Sequence, residues 1–177
     1  MKQALIIIDM QEIFFMGDEN ALYNREQLIT QVNEWITGAR HAQVPIVFIQ
    51  HTSYTPGEEL YVDTPEWQIC SQLARQPEDT VIRKTSWDSF YDTELLEWLK
   101  QNGIEQLIFA GAQTEFCLDT TIRAAYSLGY QRNLIAIDSH STLDNSILNA
   151  QQIIHHHQQV WNGRFANLQS IDMAFHS

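Results

Sequence analysis

Residues 107–121, LIFAGAQTEFCLDTT, pass from an apolar run to a glycine and then to a cysteine. The run 107–110 predicts a buried strand, and Gly111 predicts a tight exit from it. Apolar residues then recur at helical spacing from Cys117 until Gly129, so the cysteine stands at the start of a predicted helix. The segment is therefore a strand followed at once by a helix, which is the repeating unit of parallel α/β sheets.

The same alternation of strand and helix extends over the whole chain. Apolar runs predict five strands, at residues 4–8, 45–49, 80–82, 107–110 and 134–137, and a short sixth near 168–173. Apolar stripes predict four helices, at 29–39, 95–99, 118–125 and 147–161, with Asp92 or Thr93 capping the second and Asp144 or Asn145 capping the fourth. Strands that are apolar on both faces and joined by helices indicate an open parallel α/β sheet with right-handed crossovers.

The composition limits the class of protein. A chain of 177 residues suits one domain spanning 1–177, and its 44% hydrophobic and 11% aromatic residues are typical of a globular protein. The net charge of −12 argues against nucleic acid or an anionic membrane surface as a partner, because both reward a basic face. The N-terminal apolar run predicts a strand and not a signal peptide, and no run approaches the ~20 residues of a membrane span. The expected location is the cytoplasm, where Cys70 and Cys117 are expected to be free thiols.

Three reactive side chains follow three of the predicted strands. Asp9 ends the first strand, Lys84 follows the third and Cys117 follows the fourth. In a parallel sheet the carboxyl ends of all strands lie at one edge, where α/β proteins bind their ligands. The sequence therefore predicts that these three residues meet at that edge, although they are far apart in the chain.

The three side chains suit nucleophilic catalysis by a thiolate. A helix N-terminus and a neighbouring Lys84 both favour the anionic form of the Cys117 thiol. Asp9 is suited to take the thiol proton and return it to a leaving group, and the backbone N–H groups of Gln113 and Cys117 to bind a developing oxyanion. Each side chain taken alone also fits a structural role, as a packed cysteine, a turn-forming aspartate or a solvated lysine. The other cysteine, Cys70, is expected to pack.

Three segments resemble the motif blocks of a known family. They are LIIIDMQEIFF at 5–15, VIRKTSWDSF at 81–90 and GIEQLIFAGAQTEFCLDTTIRAAYSLGY at 103–130. In order and spacing they are similar to the blocks of the isochorismatase-like cysteine hydrolases, a group that includes nicotinamidases and N-carbamoylsarcosine amidohydrolase. The resemblance runs from about residue 3 to about residue 145, which is most of the chain.

The resemblance implies a fold and a reaction. The fold is a Rossmann-like three-layer α/β/α sandwich around a six-stranded parallel sheet of order 3-2-1-4-5-6. The reaction is the hydrolysis of a C–N bond in a small amide or ureido substrate, through a thioester on Cys117, with Asp9 and Lys84 completing a catalytic triad. The resemblance further implies a cis peptide bond between Ala112 and Gln113, beside the oxyanion site, and assembly into a homo-oligomer, a dimer or a tetramer.

One part of the family pattern is missing. Nicotinamidases of this group bind a metal through an Asp-x-His pair after the second strand and a further histidine downstream. The corresponding segment, FIQHTSYTPGEEL at 48–60, retains His51 but lacks the aspartate, and no second histidine follows before Lys84. The run of histidines at 155–157 lies in a predicted helix, where consecutive side chains diverge by about 100° and do not converge on one ion. We therefore expect a metal-independent hydrolase with no cofactor.

Four further residues are candidates for substrate binding, each with an alternative role. Gln11 is a candidate either for steadying the strand-ending aspartate or for contacting substrate, and His140 either lines the pocket or forms a turn. Trp87 and Phe90 form either an apolar wall of the pocket or part of the core. The irregular segment 51–68 is a candidate lid, because long loops without periodicity in compact domains are commonly functional.

Two other functions stay open at this point. A redox-responsive or ligand-binding protein on the same fold would use the Cys117 thiol as an oxidation site instead of a nucleophile. The vinyl-ether hydrolysis of isochorismatase, which some family members carry out without the cysteine, would need Asp9 and not Cys117. The presence of the cysteine favours amide or related acyl chemistry.

Overall fold

The computed structural model of the protein describes residues 1–175. Its strands and helices follow in the order β1 (Gln3–Ile8), α1 (Arg25–His41), β2 (Ile46–His51), β3 (Thr80–Lys84), α2 (Leu95–Gln101), β4 (Gln106–Ala112), α3 (Asp119–Ser127), β5 (Leu134–Ser141), α4 (Ala150–Trp161), β6 (Asn167–Gln169) and α5 (Ile171–Phe175). A 3₁₀ turn at Glu12–Phe14 follows β1, and a π-helical turn at Thr114–Leu118 joins β4 to α3.

The six strands form one parallel sheet of order β3-β2-β1-β4-β5-β6. One hydrophobic cluster packs α1 and α5 on one face of the sheet, and a second packs α2, α3 and α4 on the other. The predicted three-layer α/β/α sandwich is therefore confirmed. The strand order reverses between β1 and β4, and ligands of such sheets bind in the crevice outside the carboxyl ends at that point.

The central strand β1 shows why its sequence is apolar without alternation. Leu5 and Ile7 lie in the cluster beneath α1, whereas Ala4, Ile6 and Ile8 lie in the cluster on the opposite face. All five side chains are fully buried, as expected for a strand covered by helices on both faces. Burial of this strand fixes the position of the residue that follows it, Asp9.

The start of α4 differs from the prediction. The helix begins at Ala150, and Asn149 caps it in a capping box with Gln152, where the two side chains accept each other's backbone N–H groups at 2.9 and 3.1 Å. Ile147, predicted to belong to the apolar stripe, lies before the helix and is 86% exposed. The predicted cap at Asp144 or Asn145 was wrong, although the Asp144 carboxylate does accept the Ala150 N–H at 2.7 Å.

The C-terminal part of the described chain is more helical than predicted. The strand expected near 168–173 is the three-residue β6, and α5 follows it directly.

In α2 the helix begins at Leu95, and the hydroxyl of Thr93 accepts the N–H of Leu95 at 3.3 Å. Across residues 1–175, no helix has both the length and the apolar character that crossing a membrane requires.

Candidate active site

Asp9, Lys84 and Cys117 meet at the carboxyl edge of the sheet, beside the reversal of strand order. Lys84 is the last residue of β3, Asp9 follows β1, and Cys117 lies in the turn after β4. The Lys84 Nζ lies 2.8 Å from Asp9 Oδ2 and 3.2 Å from Cys117 Sγ. Asp9, Lys84 and Cys117 are only 3, 1 and 8% exposed, respectively. An ammonium group thus joins a carboxylate and a thiol in a place almost closed to bulk water.

Gly111 allows β4 to approach β1 closely at this edge. Its φ is +117°, and a Cβ atom there would overlap the backbone of Ile8, 2.7 Å from the nitrogen. Ile8 immediately precedes Asp9, so the glycine sets the spacing between the strand that presents the carboxylate and the strand that leads to the thiol. The peptide bond between Ala112 and Gln113, directly after this contact, is cis.

Cys117 lies within a helical turn and not at its first residue. The turn begins at Thr114, and the N–H groups of Phe116 and Leu118 both donate to the Gln113 carbonyl, at 3.1 and 3.2 Å. The prediction that the helix begins at the cysteine was wrong, because a widened π-helical turn precedes α3. Cys117 nevertheless falls in the first turn, whose N–H groups lack carbonyl partners within the helix.

The site favours the protonated form of the Cys117 thiol. Burial raises its pKa far above the usual value, and the negative charge of Asp9 raises it further, while Lys84 opposes both only in part. The expectation of a stabilised thiolate is therefore corrected, because the loss of water around the sulfur outweighs the nearby cation. Asp9 Oδ1 is buried and has no hydrogen-bond partner within residues 1–175, which leaves it as an acceptor for the thiol proton.

Lys84 is held at the centre of the site by more than its two charged neighbours. Its ammonium also donates to the Ser86 carbonyl at 2.8 Å and contacts His51 Nδ1 at 2.9 Å. Burial alone would lower the pKa of Lys84, but the charge of Asp9 and the hydrogen bonds to Asp9 and Cys117 outweigh burial and raise it. Lys84 is therefore a fixed positive charge at neutral pH.

His51 belongs to this group, although the sequence assigned it no role. It is the last residue of β2 and pairs in register with Lys84 on β3. Burial, and then the charge of Lys84, lower the pKa of its imidazole, so the ring is neutral at pH 7. The signal for it in the sequence was its position, since it closely follows the predicted strand 45–49 at the same edge as Asp9.

The one convergent set of possible metal ligands within the described chain is Asp9, His51 and Cys117, with one ligand atom from each within 4.8 Å of the others. The Lys84 ammonium lies 2.8, 2.9 and 3.2 Å from these three side chains. A buried positive charge in that position repels a second cation. The set therefore does not suit a resident metal ion while Lys84 is charged.

His140 lies behind the turn that carries Cys117, and its hydrogen bonds are to residues other than Asp9, Lys84 and Cys117. It is 4% exposed, with Nδ1 2.9 Å from Thr114 Oγ1 and Nε2 3.1 Å from Gln158 Nε2. Burial, with a smaller contribution from His157, lowers its pKa to about 3. Its neutral ring links β5 and α4 to the turn that carries Cys117.

The remaining candidates for substrate binding divide between the cavity and the core. Trp87 lines the cavity above the thiol and is 59% exposed, whereas Phe90 packs against the core cluster of α2 and α3. The side chain of Gln11 is fully buried and bonds to the backbone of His51, while the Gln11 backbone N–H donates to the Asp9 carbonyl at 2.9 Å. Cys70 is a free thiol in the core, as expected for a packed cysteine.

The histidine run at 155–157 lies in α4. His157 Nδ1 donates to the Ile153 carbonyl at 2.9 Å, and its ring packs against Trp161 with centroids 5.6 Å apart. These contacts give His157 a packing role.

A small cavity opens above the thiol. Its volume is about 270 Å³, and Asp9, His51, Gln113 and Cys117 all contribute to its wall. A pocket of about 610 Å³ adjoins it, and the two share Ile13, Asn20, Glu59 and Leu60. The candidate lid 51–68 thus supplies two residues to both walls.

The isochorismatase domain of known protein families matches residues 3–155. The chain belongs to the isochorismatase family. A crystal structure of an isochorismatase family protein shares 40% sequence identity and superposes with a TM-score of 0.88, covering 96% of this chain and 98% of that one. The family resemblance noted in the sequence is therefore confirmed over most of the chain.

Similar members of the isochorismatase family include hydrolases of small molecules. Streptothricin hydrolase from Streptomyces noursei is 31% identical over 142 residues, which are 80% of this chain and 55% of that protein. Ureidoacrylate amidohydrolase RutB from Pseudomonas syringae is 24% identical over 175 residues, 77% of this chain and 70% of that protein. The chain spans about half the length of the streptothricin hydrolases that it matches. Amidohydrolases are thus among the relatives of this isochorismatase-family protein.

Proposed function

We propose that the protein is a metal-independent cysteine hydrolase that cleaves the C–N bond of a small amide or ureido substrate. The observation that carries the proposal is the buried contact of Lys84 Nζ with both Asp9 Oδ2 and Cys117 Sγ, at 2.8 and 3.2 Å, beneath a cavity. The amidohydrolases among the relatives support the same reaction class. Small size of the substrate is supported by the cavity, whose volume of about 270 Å³ lies below that of most ligand pockets.

In the first step, the Cys117 sulfur attacks the substrate carbonyl while its proton moves to Asp9. The Asp9 carboxylate becomes a carboxylic acid, and the Cys117 sulfur bonds to the substrate carbon instead of becoming a free thiolate. No additional unpaired charge therefore develops beside Lys84. Coupling the attack to proton transfer explains how a thiol with a raised pKa serves as a nucleophile. The role of Lys84 is to stabilise whichever of the two groups carries the negative charge.

The tetrahedral oxygen of this intermediate carries a negative charge, and the N–H groups of Gln113 and Cys117 are its proposed donors. Both residues line the cavity, and Cys117 lies in the first turn of a helical segment. Asp9 then gives its proton to the leaving nitrogen, the C–N bond breaks, and the amine departs. A thioester on the sulfur remains.

Hydrolysis of the thioester reverses the roles of the same groups. A water molecule attacks the thioester carbonyl while Asp9 accepts one of its protons. The C–S bond then breaks, the carboxylic acid departs, and Asp9 returns the proton to the Cys117 sulfur. The cycle ends with the carboxylate and thiol with which it began, and every proton transfer uses the one carboxylate.

The same geometry argues against the alternative of a peroxide-sensitive thiol. Oxidation by peroxide requires thiolate character and access to solvent. Cys117 is 8% exposed, and both burial and Asp9 raise its pKa. Hydrolysis, in which Asp9 takes the proton during attack, suits this environment better than redox sensing does.

Variants of the triad test the proposal on a panel of small primary amides and ureido acids. Cys117→Ala and Asp9→Asn are each expected to lower kcat/KM more than about a thousandfold, because triad members act as a unit. Cys70→Ala serves as the matched control and is expected to retain activity within a few-fold. Hydrolysis of a vinyl ether that Cys117→Ala retains and Asp9→Asn loses would instead support vinyl-ether chemistry. Sulfenylation of Cys117 by peroxide, without hydrolysis of any amide, would support the redox alternative.

A further inference from the structure

His51 lies beside the proposed triad but takes no part in the steps above. It lines the cavity over Cys117, and its side chain is 25% exposed, while the side chains of Lys84 and Asp9 are 0 and 4% exposed. Of these polar groups, the imidazole is thus the most accessible to a molecule bound in the cavity.

The backbone of His51 is clamped by a buried side-chain amide. Gln11 Oε1 accepts the N–H of His51 at 2.9 Å, and Gln11 Nε2 donates to the carbonyl of the same residue at 2.9 Å. The same Nε2 also donates to the Trp67 carbonyl at 2.8 Å. Gln11 therefore satisfies the backbone hydrogen-bonding groups at the end of β2 as a neighbouring strand would. It also fixes the position of the His51 backbone, from which the imidazole ring projects.

The tautomer of the ring follows from its contact with Lys84. An ammonium group donates hydrogen bonds and accepts none. The Lys84 Nζ lies 2.9 Å from His51 Nδ1, and a protonated Nδ1 would point its N–H at the ammonium, so Nδ1 is the unprotonated, accepting nitrogen. A neutral ring that accepts at Nδ1 carries its proton on Nε2. Since Nδ1 is turned toward Lys84, the Nε2–H lies on the other side of the ring.

We propose that His51 is a substrate-binding residue of this site, which donates its Nε2–H to an oxygen or nitrogen acceptor that the substrate carries next to the scissile bond. The inference rests on the proposed function and narrows the substrate class. A bound substrate excludes water from this donor, and a donor that loses water without gaining an acceptor is costly, so the site selects amide or ureido compounds that carry an acceptor in that position over those that lack one.

A pair of alkylating agents tests the donor without requiring a substrate. Iodoacetamide and allyl iodide share a reactive CH₂–I group, but only iodoacetamide places a carboxamide acceptor beside the carbon that sulfur attacks. With either reagent an S–C bond forms, iodide leaves, and the thiol proton passes to Asp9. The measured quantity is the ratio of the two labelling rates at Cys117, in a Cys70→Ala background, by intact-protein mass spectrometry.

Two variants separate the two nitrogens of the ring. In His51→Asn the side-chain oxygen can still accept from Lys84, but the donor to the cavity is lost, and the iodoacetamide to allyl iodide ratio is expected to fall about tenfold. In His51→Gln the amide nitrogen replaces Nε2, and the ratio is expected to stay within about threefold of the parent. Nitrogen-15 NMR of the parent is expected to show a neutral ring protonated on Nε2.

The inference is overturned if His51→Asn keeps the parental ratio, if His51→Gln loses the ratio as fully as His51→Asn does, or if the ring is protonated on Nδ1 alone. Equal slowing of both reagents in His51→Asn would also overturn it, since that result means a purely structural role. Labelling involves no hydrolysis, so these outcomes are independent of the Cys117→Ala turnover test. Failure of the turnover test would remove the proposed function, whereas the labelling ratio would still report whether His51 donates a hydrogen bond in the cavity.

Discussion

At the scale of single residues, the site depends on a lysine in a place where lysines are rarely found. Lys84 is 1% exposed, and its charge is kept by Asp9 and Cys117 against the cost of burial. We expect the protein to tolerate removal of both the Asp9 and the Lys84 charge better than removal of one of them, because a single buried charge has no partner. The catalytic and structural roles of this lysine are therefore separable by mutation.

Lys84→Met is expected to lower the free energy of unfolding by about 3 kcal/mol, because it leaves the Asp9 carboxylate buried without its cation. The double variant Asp9→Asn/Lys84→Met is expected to recover most of that loss and to remain inactive. Urea denaturation and turnover of the best amide substrate are the measurements. If the two substitutions destabilise additively, the charges are not coupled as the structure indicates.

Asp9→Asn is expected to move the labelling of Cys117 by iodoacetamide to lower pH, while abolishing turnover. The negative charge of Asp9 raises the pKa of the thiol, so its removal lowers that pKa and increases the thiolate fraction at a given pH. The midpoint of labelling rate against pH therefore moves to lower pH than in the parent. Both proteins are compared in a Cys70→Ala background, and an unchanged or higher midpoint would contradict the assigned electrostatics.

At the scale of elements, the sequence located strands better than helix starts. The near-continuous apolar runs revealed each predicted strand and thus the shared edge of Asp9, Lys84 and Cys117. The π-helical turn before α3 has no apolar periodicity of its own in the sequence, so the predicted start of that helix was wrong. Ile147 was misassigned to α4 because apolar spacing ignored the cap at Asn149.

Contacts between elements explain what the sequence did not show about the site. Gln11 meets the backbone of His51 across 40 residues, and His140 meets Thr114 across 26. Local sequence patterns indicate burial and turns, but they do not indicate which side chain of a distant strand will contact a given residue. The raised pKa of Cys117 was missed for the same reason, since it follows from burial by the assembled elements.

Gly111→Ala is expected to destabilise the protein by at least about 3 kcal/mol, since the left-handed conformation and the overlap with Ile8 add to one another. Gly103→Ala is the matched control. Gly103 also has a positive φ, of +63°, but a Cβ there would meet nothing within 4 Å, so a cost of only about 1 kcal/mol is expected. Chemical denaturation measures both, and equal losses would contradict the close approach of β4 to β1.

The link from His140 to the catalytic turn predicts an acid-sensitive stability. The folded pKa of His140 is lowered from 6.5 to about 3, so between these values the unfolded chain binds a proton that the folded protein does not. Stability from this residue is present above about 6.5 and is lost as pH falls, by about 1.4 kcal/mol per pH unit. His140→Gln should lack this slope. Parallel curves of unfolding free energy against pH for the two proteins would contradict burial of the neutral ring.

At the scale of the whole molecule, every helix of the described chain packs on one sheet, and we propose that the chain forms a single domain. The expected assembly into dimers or tetramers stays a prediction. The net charge of −12 has a local counterpart in the pocket beside the cavity. Five of the residues that line that pocket are carboxylates, namely Asp18, Glu19, Glu58, Glu59 and Glu66.

This charge distribution predicts discrimination against anionic substrates. Among the linear amides 5-aminopentanamide, pentanamide and glutaramate, the anionic glutaramate is expected to have the lowest kcat/KM at low ionic strength, by about tenfold or more relative to pentanamide. The difference should shrink as salt is added, because exposed charges are screened. Equal values for the three amides at low salt would show that the acidic pocket does not influence the reaction.

The most direct test of the central claim is to trap the acyl intermediate. The protein is mixed with a hydrolysed amide from the panel, quenched in acid during turnover, and analysed by intact-mass and peptide mass spectrometry. The proposed mechanism predicts a mass increase equal to the acyl group less one hydrogen, located on Cys117 and absent from Cys117→Ala, and this increase should disappear when substrate is exhausted. Turnover that continues in Cys117→Ala, or an adduct located on any other residue, would contradict a thioester mechanism at this site.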